Sequence, residues 1–296
     1  MSFQEKYLIQ QELGGAKIRK FSRVFKGITK ATGEEVVLKT LTKNSTNHIA
    51  QDRLKAEATF TFSNQGLPIV LDYFESENEQ ILVKTFEKGI PLNAYLNRFK
   101  PKQRAFQLIP IIEQLIPLFQ FIHEQNIVHL DIKPSNILVD VEENQLAVSL
   151  IDFGMAYRIH SDEQRTILFP LGYAAPECLL NQLELVDHRS DYFSLGISIW
   201  QCIEGKLPLL HANPSITTNL QLTHPLPEGD YLSKKQYQSL KKLSEKHAFA
   251  LPPNKMNPSA VKIALVNARN SRYADLKSFL NDWSSCSKEQ KSWFSF

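Results

Sequence analysis

The sequence predicts an α+β chain, with a small β-rich N-terminal part followed by a larger helical one. Three observations carry that prediction. Short runs of β-branched and aromatic residues fill the chain up to about residue 84, helical spacing takes over from Leu92, and Glu87-Lys88-Gly89 forms one joint between them. Strands are read at Arg23 to Thr29, Glu35 to Thr40, Ile69 to Phe74 and Gln80 to Phe86. Turn signals such as Ala31-Thr32-Gly33 and Glu77-Asn78-Glu79 separate them. Between the second and third strands, Ala50 to Phe62 has helical spacing. Beyond the joint, Arg104 to Gln125 and Tyr192 to Glu204 read as helices, and only Ile137 to Phe153 is strand-like. Pro117 predicts a kink in the first of these helices. A cleft between two lobes is a common seat for a ligand.

Composition removes several function classes. With 296 residues, 43% of them apolar, the chain can bury one large domain or two modest lobes without staples. Its 34 Lys+Arg against 31 Asp+Glu leave a net charge of +3, too little to make nucleic acid the leading partner. The opening MSFQEKYLIQ lacks a basic start followed by an apolar run. The most apolar stretch, Leu108 to Ile122, is interrupted by Pro110, Glu113, Gln114, Pro117 and Gln120. Neither a signal peptide nor a membrane span is read. Cys178, Cys202 and Cys286 are odd in number, far apart and in no C-x-x-C spacing, so a cytoplasmic, reducing setting is expected.

The strongest signal is His129-Leu130-Asp131-Ile132-Lys133-Pro134-Ser135-Asn136, followed by Ile151-Asp152-Phe153-Gly154 and then by Ala175-Pro176-Glu177. In this order the runs resemble the motif set of the eukaryotic-type (Hanks-type) Ser/Thr protein kinase family: a strand lysine, H-R-D-L-x-x-x-N, D-F-G and A-P-E. The resemblance covers nearly the whole chain. It implies a two-lobed protein-kinase-like fold, with a β-rich N-lobe at 1–84, a hinge at 85–89 and an α-helical C-lobe at 90–296. It also implies ATP and Mg²⁺ as cofactors, and transfer of the γ-phosphoryl group to Ser or Thr of a protein substrate.

That chemistry must hold a polyanion, bind Mg²⁺ and orient a hydroxyl. By the resemblance, Lys39 in Val36-Val37-Leu38-Lys39 neutralises the α- and β-phosphates, with Glu57 as its ion-pair partner on the helix. Asp152 and Asn136 are the metal ligands, hard oxygen donors suited to Mg²⁺. Asp131 accepts or orients the hydroxyl proton, and Lys133 steadies the moving phosphate. Val24, Val37 and Leu138 sandwich the adenine, and the backbone of Thr85, Phe86 and Glu87 faces its edge. Glu177 pairs with Arg272, and Asp191 props the catalytic loop from the following helix; Glu204-Gly205 fits the end of that helix.

The chain departs from the family at four places. Its phosphate-covering loop keeps Gly14 and Gly15 but is longer, and carries Lys17, Arg19 and Lys20, read as solvated. Lys84 occupies the position before the hinge that is ordinarily apolar or Thr. An ammonium there would lose hydration worth several kcal/mol unless paired, so it is expected to reach Glu57 or Asp152 and compete with Lys39. Phe169-Pro170 replace the Gly-Thr of the substrate-docking loop, leaving the acceptor open. Leu130 replaces the arginine that pairs with an activation-segment phosphate, so autophosphorylation at Ser161 or Thr166 is not expected to be the main switch. Two other readings share the fold: a pseudokinase that docks partners, and a kinase relative acting on something other than protein.

Overall fold

The computed structural model describes residues 3–14, 22–44, 46–143, 145–161 and 169–292. A one-turn helix α1 (Phe3–Lys6) leads into β1 (Tyr7–Glu12), β2 (Ser22–Thr29), β3 (Glu35–Thr42), α2 (His48–Glu57), β4 (Val70–Glu75) and β5 (Glu79–Thr85). Across the sheet the order is β1-β2-β3-β5-β4, each neighbour antiparallel. Strand β1 escapes the sequence reading because only Tyr7 is buried in it, so no alternation is visible. It is held by pairing with β2 and by Lys6 and Tyr7, which both donate to Asp72.

Alternation sorts the central strands into two faces. Val36 and Leu38 of β3 join Ile81 and Val83 of β5 in a small core with Tyr7. Leu41 and Leu82 point to the opposite face, where they meet Leu54 of α2. Helix α2 ends at Glu57 rather than running to Phe62. Thr59 and Phe60 turn back onto the carbonyls of Ala56 and Glu57, and Phe62 leaves to pack on Phe153, with ring centroids 4.5 Å apart.

After 86–89 the chain continues through β6 (Ile90–Pro91), α3 (Leu92–Leu96), α4 (Pro101–Glu124), β7 (Ile127–Val128), β8 (Ile137–Glu142), β9 (Gln145–Leu150) and β10 (Tyr157–Arg158). The strand-like patch of the sequence is therefore the antiparallel β8–β9 pair, closing near Glu143. Helices α5 (Pro176–Leu179), α6 (His188–Glu204), α7 (Pro214–Thr223), α8 (Lys234–Leu243), α9 (Pro258–Ser271) and α10 (Leu276–Ser292) complete the helical part.

Helix α4 is long and apolar enough to cross a membrane, yet it lies against β9, α6 and α10, and the side chains of Leu108, Ile111, Leu115, Phe119 and Ile122 are in the core. It is a core helix. Pro117 does not end it, since Leu118, Phe119 and Ile122 continue the buried face to Glu124. Gln114 clamps it to β9, donating to the Leu146 carbonyl and accepting from Val148 N–H at 3.0 Å. Gly66 accepts from Leu150 N–H at 2.8 Å, with φ of +85°. A Cβ there would sit 2.7 Å from the Val148 carbonyl oxygen, so only glycine permits this approach. Helix α6, buried almost all round, ends at Gly205 in a left-handed cap.

Candidate active site

Strand parity places Lys39 and Lys84 on the face that carries Leu41 and Leu82. Their register, Val37 opposite Lys84 and Lys39 opposite Leu82, makes the two lysines diagonal neighbours above the cleft. Glu57, 1% exposed, receives both. Lys39 Nζ lies 2.6 Å from its Oε2, and Lys84 donates to its Oε1. Lys39 also reaches Asp152 Oδ1 at 2.9 Å. Each lysine thus has its own carboxylate oxygen, so the expected competition for Glu57 does not occur. Burial works against the charges on Lys39, Glu57 and Asp152, and their mutual pairing outweighs it. Lys39 is held above its ordinary pKa, while Lys39 and Lys84 hold Glu57 below the usual carboxylate range. They hold Asp152 well below it.

The lower side of the cleft is the loop between β7 and β8. Lys133 donates to both oxygens of Asp131, at 2.9 and 2.8 Å, and Asn136 Nδ2 donates to the carbonyl and Oδ2 of Asp131, each at 2.9 Å. Backbone N–H of Asp131 donates to His129 Nδ1, so the ring proton is assigned to Nε2, which faces the Ile151 carbonyl at 3.1 Å. Asp152 holds φ +68° and ψ +73°, a left-handed conformation that sends Phe153 down onto His129 and Phe62. Leu130 is also left-handed, at φ +59°. Its strained turn is held by Asp191, which accepts the amides of His129 and Leu130 at 2.9 and 2.8 Å and His123 Nε2 at 2.9 Å.

Between the two sides lies a cavity of 510 Å³. Its walls include Gly14, Val24, Val37, Lys39, Lys84, Thr85, Phe86, Glu87, Lys133, Asn136, Leu138 and Asp152. Glu57 stands behind the lysines and Asp131 beneath Lys133 and Asn136, so neither lines it. Gly15, Lys17, Arg19, Lys20 and Thr166 lie outside the described residues. The sequence reading missed Leu13, Pro68, Gly89, Pro91, Ser135 and Ile151 in the wall; Ser135 and Ile151 were signalled only by their places before Asn136 and Asp152, and Pro68 by nothing local. Farther down, Arg272 forks onto Glu177 at 2.6 and 3.0 Å with both side chains 1% exposed, and Ser190 donates to the same carboxylate at 2.8 Å. Pro170 offers no hydroxyl, and its carbonyl accepts the Tyr173 and Ala174 amides instead.

Arg272 depresses Glu177 against burial, and His123 does the same for Asp191, while burial depresses His188. All three shifts have one sign: the unfolded chain binds more protons than the folded one as pH falls. The urea midpoint should therefore be level at neutral pH, decline below about pH 6.5 through His188 and fall steeply below about pH 4.5 through the carboxylates. A midpoint that rose on acidification would contradict these pairings.

Comparison with known proteins bears on this geometry. Residues 9–260 match the family described as Protein kinase domain. The chain is 28% identical over 235 residues to the probable serine/threonine-protein kinase pXi of Dictyostelium discoideum, covering 78% of this chain and 32% of that protein. It is 27% identical over 254 residues to serine/threonine-protein kinase 17A of Oryctolagus cuniculus, covering 81% and 62%. It thus spans only part of the length of these relatives. In fold it is similar to the autoinhibited serine kinase domain of the giant muscle protein titin, with a TM-score of 0.66 at 20% identity over 95% of this chain and 80% of that one. A match that runs from β1 into α9, through the sheet, the cleft and the helices behind it, makes this chain a member of the protein kinase domain family.

Proposed function

We propose that the chain transfers the γ-phosphoryl group of Mg·ATP to Ser or Thr hydroxyls of a protein substrate. The observation that carries this reading is the assembly, around one cleft, of a paired lysine above and an aspartate–lysine–asparagine group below. Phosphoryl transfer asks little covalent work of a protein, so positioning and charge suffice. Lys39 meets the phosphates, and Asp131 accepts a hydrogen bond from the substrate hydroxyl in place of one it now accepts from Lys133. That exchange frees Lys133 for the transferring group.

The donor set fits Mg²⁺. Asn136 spends its N–H groups on Asp131, which leaves Oδ1, approached among the described residues only by Ser135 Oγ at 3.4 Å, as an oxygen ligand beside Asp152. Among the described residues no cluster of three or more His, Cys, Asp or Glu suits a metal, so this ion would complete its shell with phosphate oxygens and water. When bound, it supplies charge neutralisation of the phosphates. The buried free thiols of Cys178, Cys202 and Cys286 support a reducing, cytoplasmic setting.

Lys39→Ala should abolish transfer and leave cooperative unfolding intact. Intact-mass analysis before and after Mg·ATP, with a generic basic protein as acceptor, checks it. Nucleotide binding by wild type without any added mass would favour the pseudokinase reading instead.

The activation segment adds a second expectation. Leu130 is buried, and an apolar side chain cannot hold a phosphate; Ser161 Oγ is enclosed, with no partner among the described residues. Phosphate-free protein should match autophosphorylated protein in rate, and Ser161→Ala/Thr166→Ala should retain most activity. A lag in product formation that preincubation with ATP removes, and that the double variant lacks, would show a phosphate switch.

A further inference from the structure

Lys84 has no part in the proposed chemistry, yet it spends its charge on the least exposed carboxylate of the cleft. Two features show what it does there. The first is charge. Before any metal ion is counted, Lys39, Glu57 and Asp152 alone sum to one excess negative charge, and Lys84 brings the four side chains to neutrality. With Glu57 answered on both oxygens, the positive charge of Lys39 is less consumed by its partner.

The second feature is mechanical. Helix α2 buries only Leu54 and Glu57, and its N-cap residue Asn47 makes no capping side-chain bond. Little apolar burial holds this helix in place. Its N-terminal end is tied to β3 by Asn47, whose amide donates to the Thr42 carbonyl at 2.7 Å, and its C-terminal end by the carboxylate of Glu57, which is tied to β3 through Lys39 and to β5 through Lys84. A second tie from a neighbouring strand keeps α2 inward when Lys39 turns toward phosphate.

We propose that Lys84 is a positioning residue for phosphoryl transfer: by anchoring Glu57 from β5 it holds α2 and Lys39 in the working arrangement, with no phosphate on the activation segment required. This rests on the kinase reading of the cleft. It reverses the sign expected from competition, under which Lys84 would act as a brake.

The test is a double-variant cycle on the full chain. Mg·ATP affinity and turnover are measured for wild type, Lys84→Met, Lys84→Gln and Lys84→Arg, each alone and with Glu57→Gln, after thermal unfolding has shown which variants fold. Lys84→Met should weaken Mg·ATP binding and slow turnover by about tenfold, Lys84→Gln should lose somewhat less, and Lys84→Arg should stay within about threefold of wild type. In the Glu57→Gln background the effect of Lys84→Met should shrink to less than about twofold, because the group it acts through has lost its charge. If Lys84→Met does not fold, Lys84→Gln and Lys84→Arg carry the cycle.

Turnover equal to or above wild type in Lys84→Met or Lys84→Gln would overturn the proposal, as would an undiminished loss in the Glu57→Gln background. The affinity arm separates this from the kinase reading. Coupled affinities with no transfer by wild type would sink the reading and keep the anchor; transfer with uncoupled affinities would do the reverse.

Discussion

Asp131→Asn should slow phosphoryl transfer by about 10²-fold or more while leaving Mg·ATP affinity within about threefold of wild type. The substitution preserves volume in a site only 4% exposed and retains one oxygen for Lys133 or Asn136. What it removes is the charge that, in the proposed reaction, orients a hydroxyl and answers its developing positive character. Because Asp131 lies beneath the cavity rather than in its wall, the nucleotide should scarcely sense the change. Initial rates at saturating nucleotide, with a separate binding titration, check both halves. A wild-type rate would move the chemistry to another residue.

Glu177→Ala and Arg272→Ala should each destabilise the protein by about 3–5 kcal/mol, since either leaves its partner's charge buried and unpaired. The guanidinium also donates to the backbone carbonyls of Glu245 and Arg189, at 2.9 and 3.2 Å, and stacks over Phe193 with its carbon 4.9 Å from the ring centroid. Removing it therefore orphans several acceptors at once. Glu177→Leu/Arg272→Met should cost less than Arg272→Ala, because it orphans the same backbone acceptors but leaves no charge behind. Urea unfolding of the four proteins gives the comparison. Equal losses in the single and double variants would mean that shape, not charge pairing, fixes this contact.

The sequence made legible those residues whose chemistry requires short contiguous runs. Asp131, Lys133 and Asn136 lie within six positions of one another, and the loop geometry that gathers them is written into that spacing. Lys84 was legible as a problem in charge burial, but its sharing of Glu57 depended on two strands being in one register, which no local pattern displays. Strand β1 and the end of α2 were not legible for the same physical reason. Tyr7, Phe60 and Phe62 are buried by partners far along the chain, so their apolar character mimics or hides the local period. Pro68 lines the cleft only because the fold brings it there.

The carboxylates that brace the catalytic loop and the activation segment also set a timetable. The amides of His129 and Leu130 wait for a side chain 62 and 61 residues later, and Glu177 for one 95 residues later. During synthesis from the N-terminus, the lower side of the cleft leaves the ribosome before the parts that fasten it. The nascent chain thus cannot fasten the loop that holds His129 and Leu130 until α6 has emerged, nor neutralise Glu177 until Arg272 has. A product interrupted between α6 and Arg272 leaves Glu177 without the guanidinium that answers its charge in the finished fold, so that carboxylate can be buried there only at the cost of an unpaired charge.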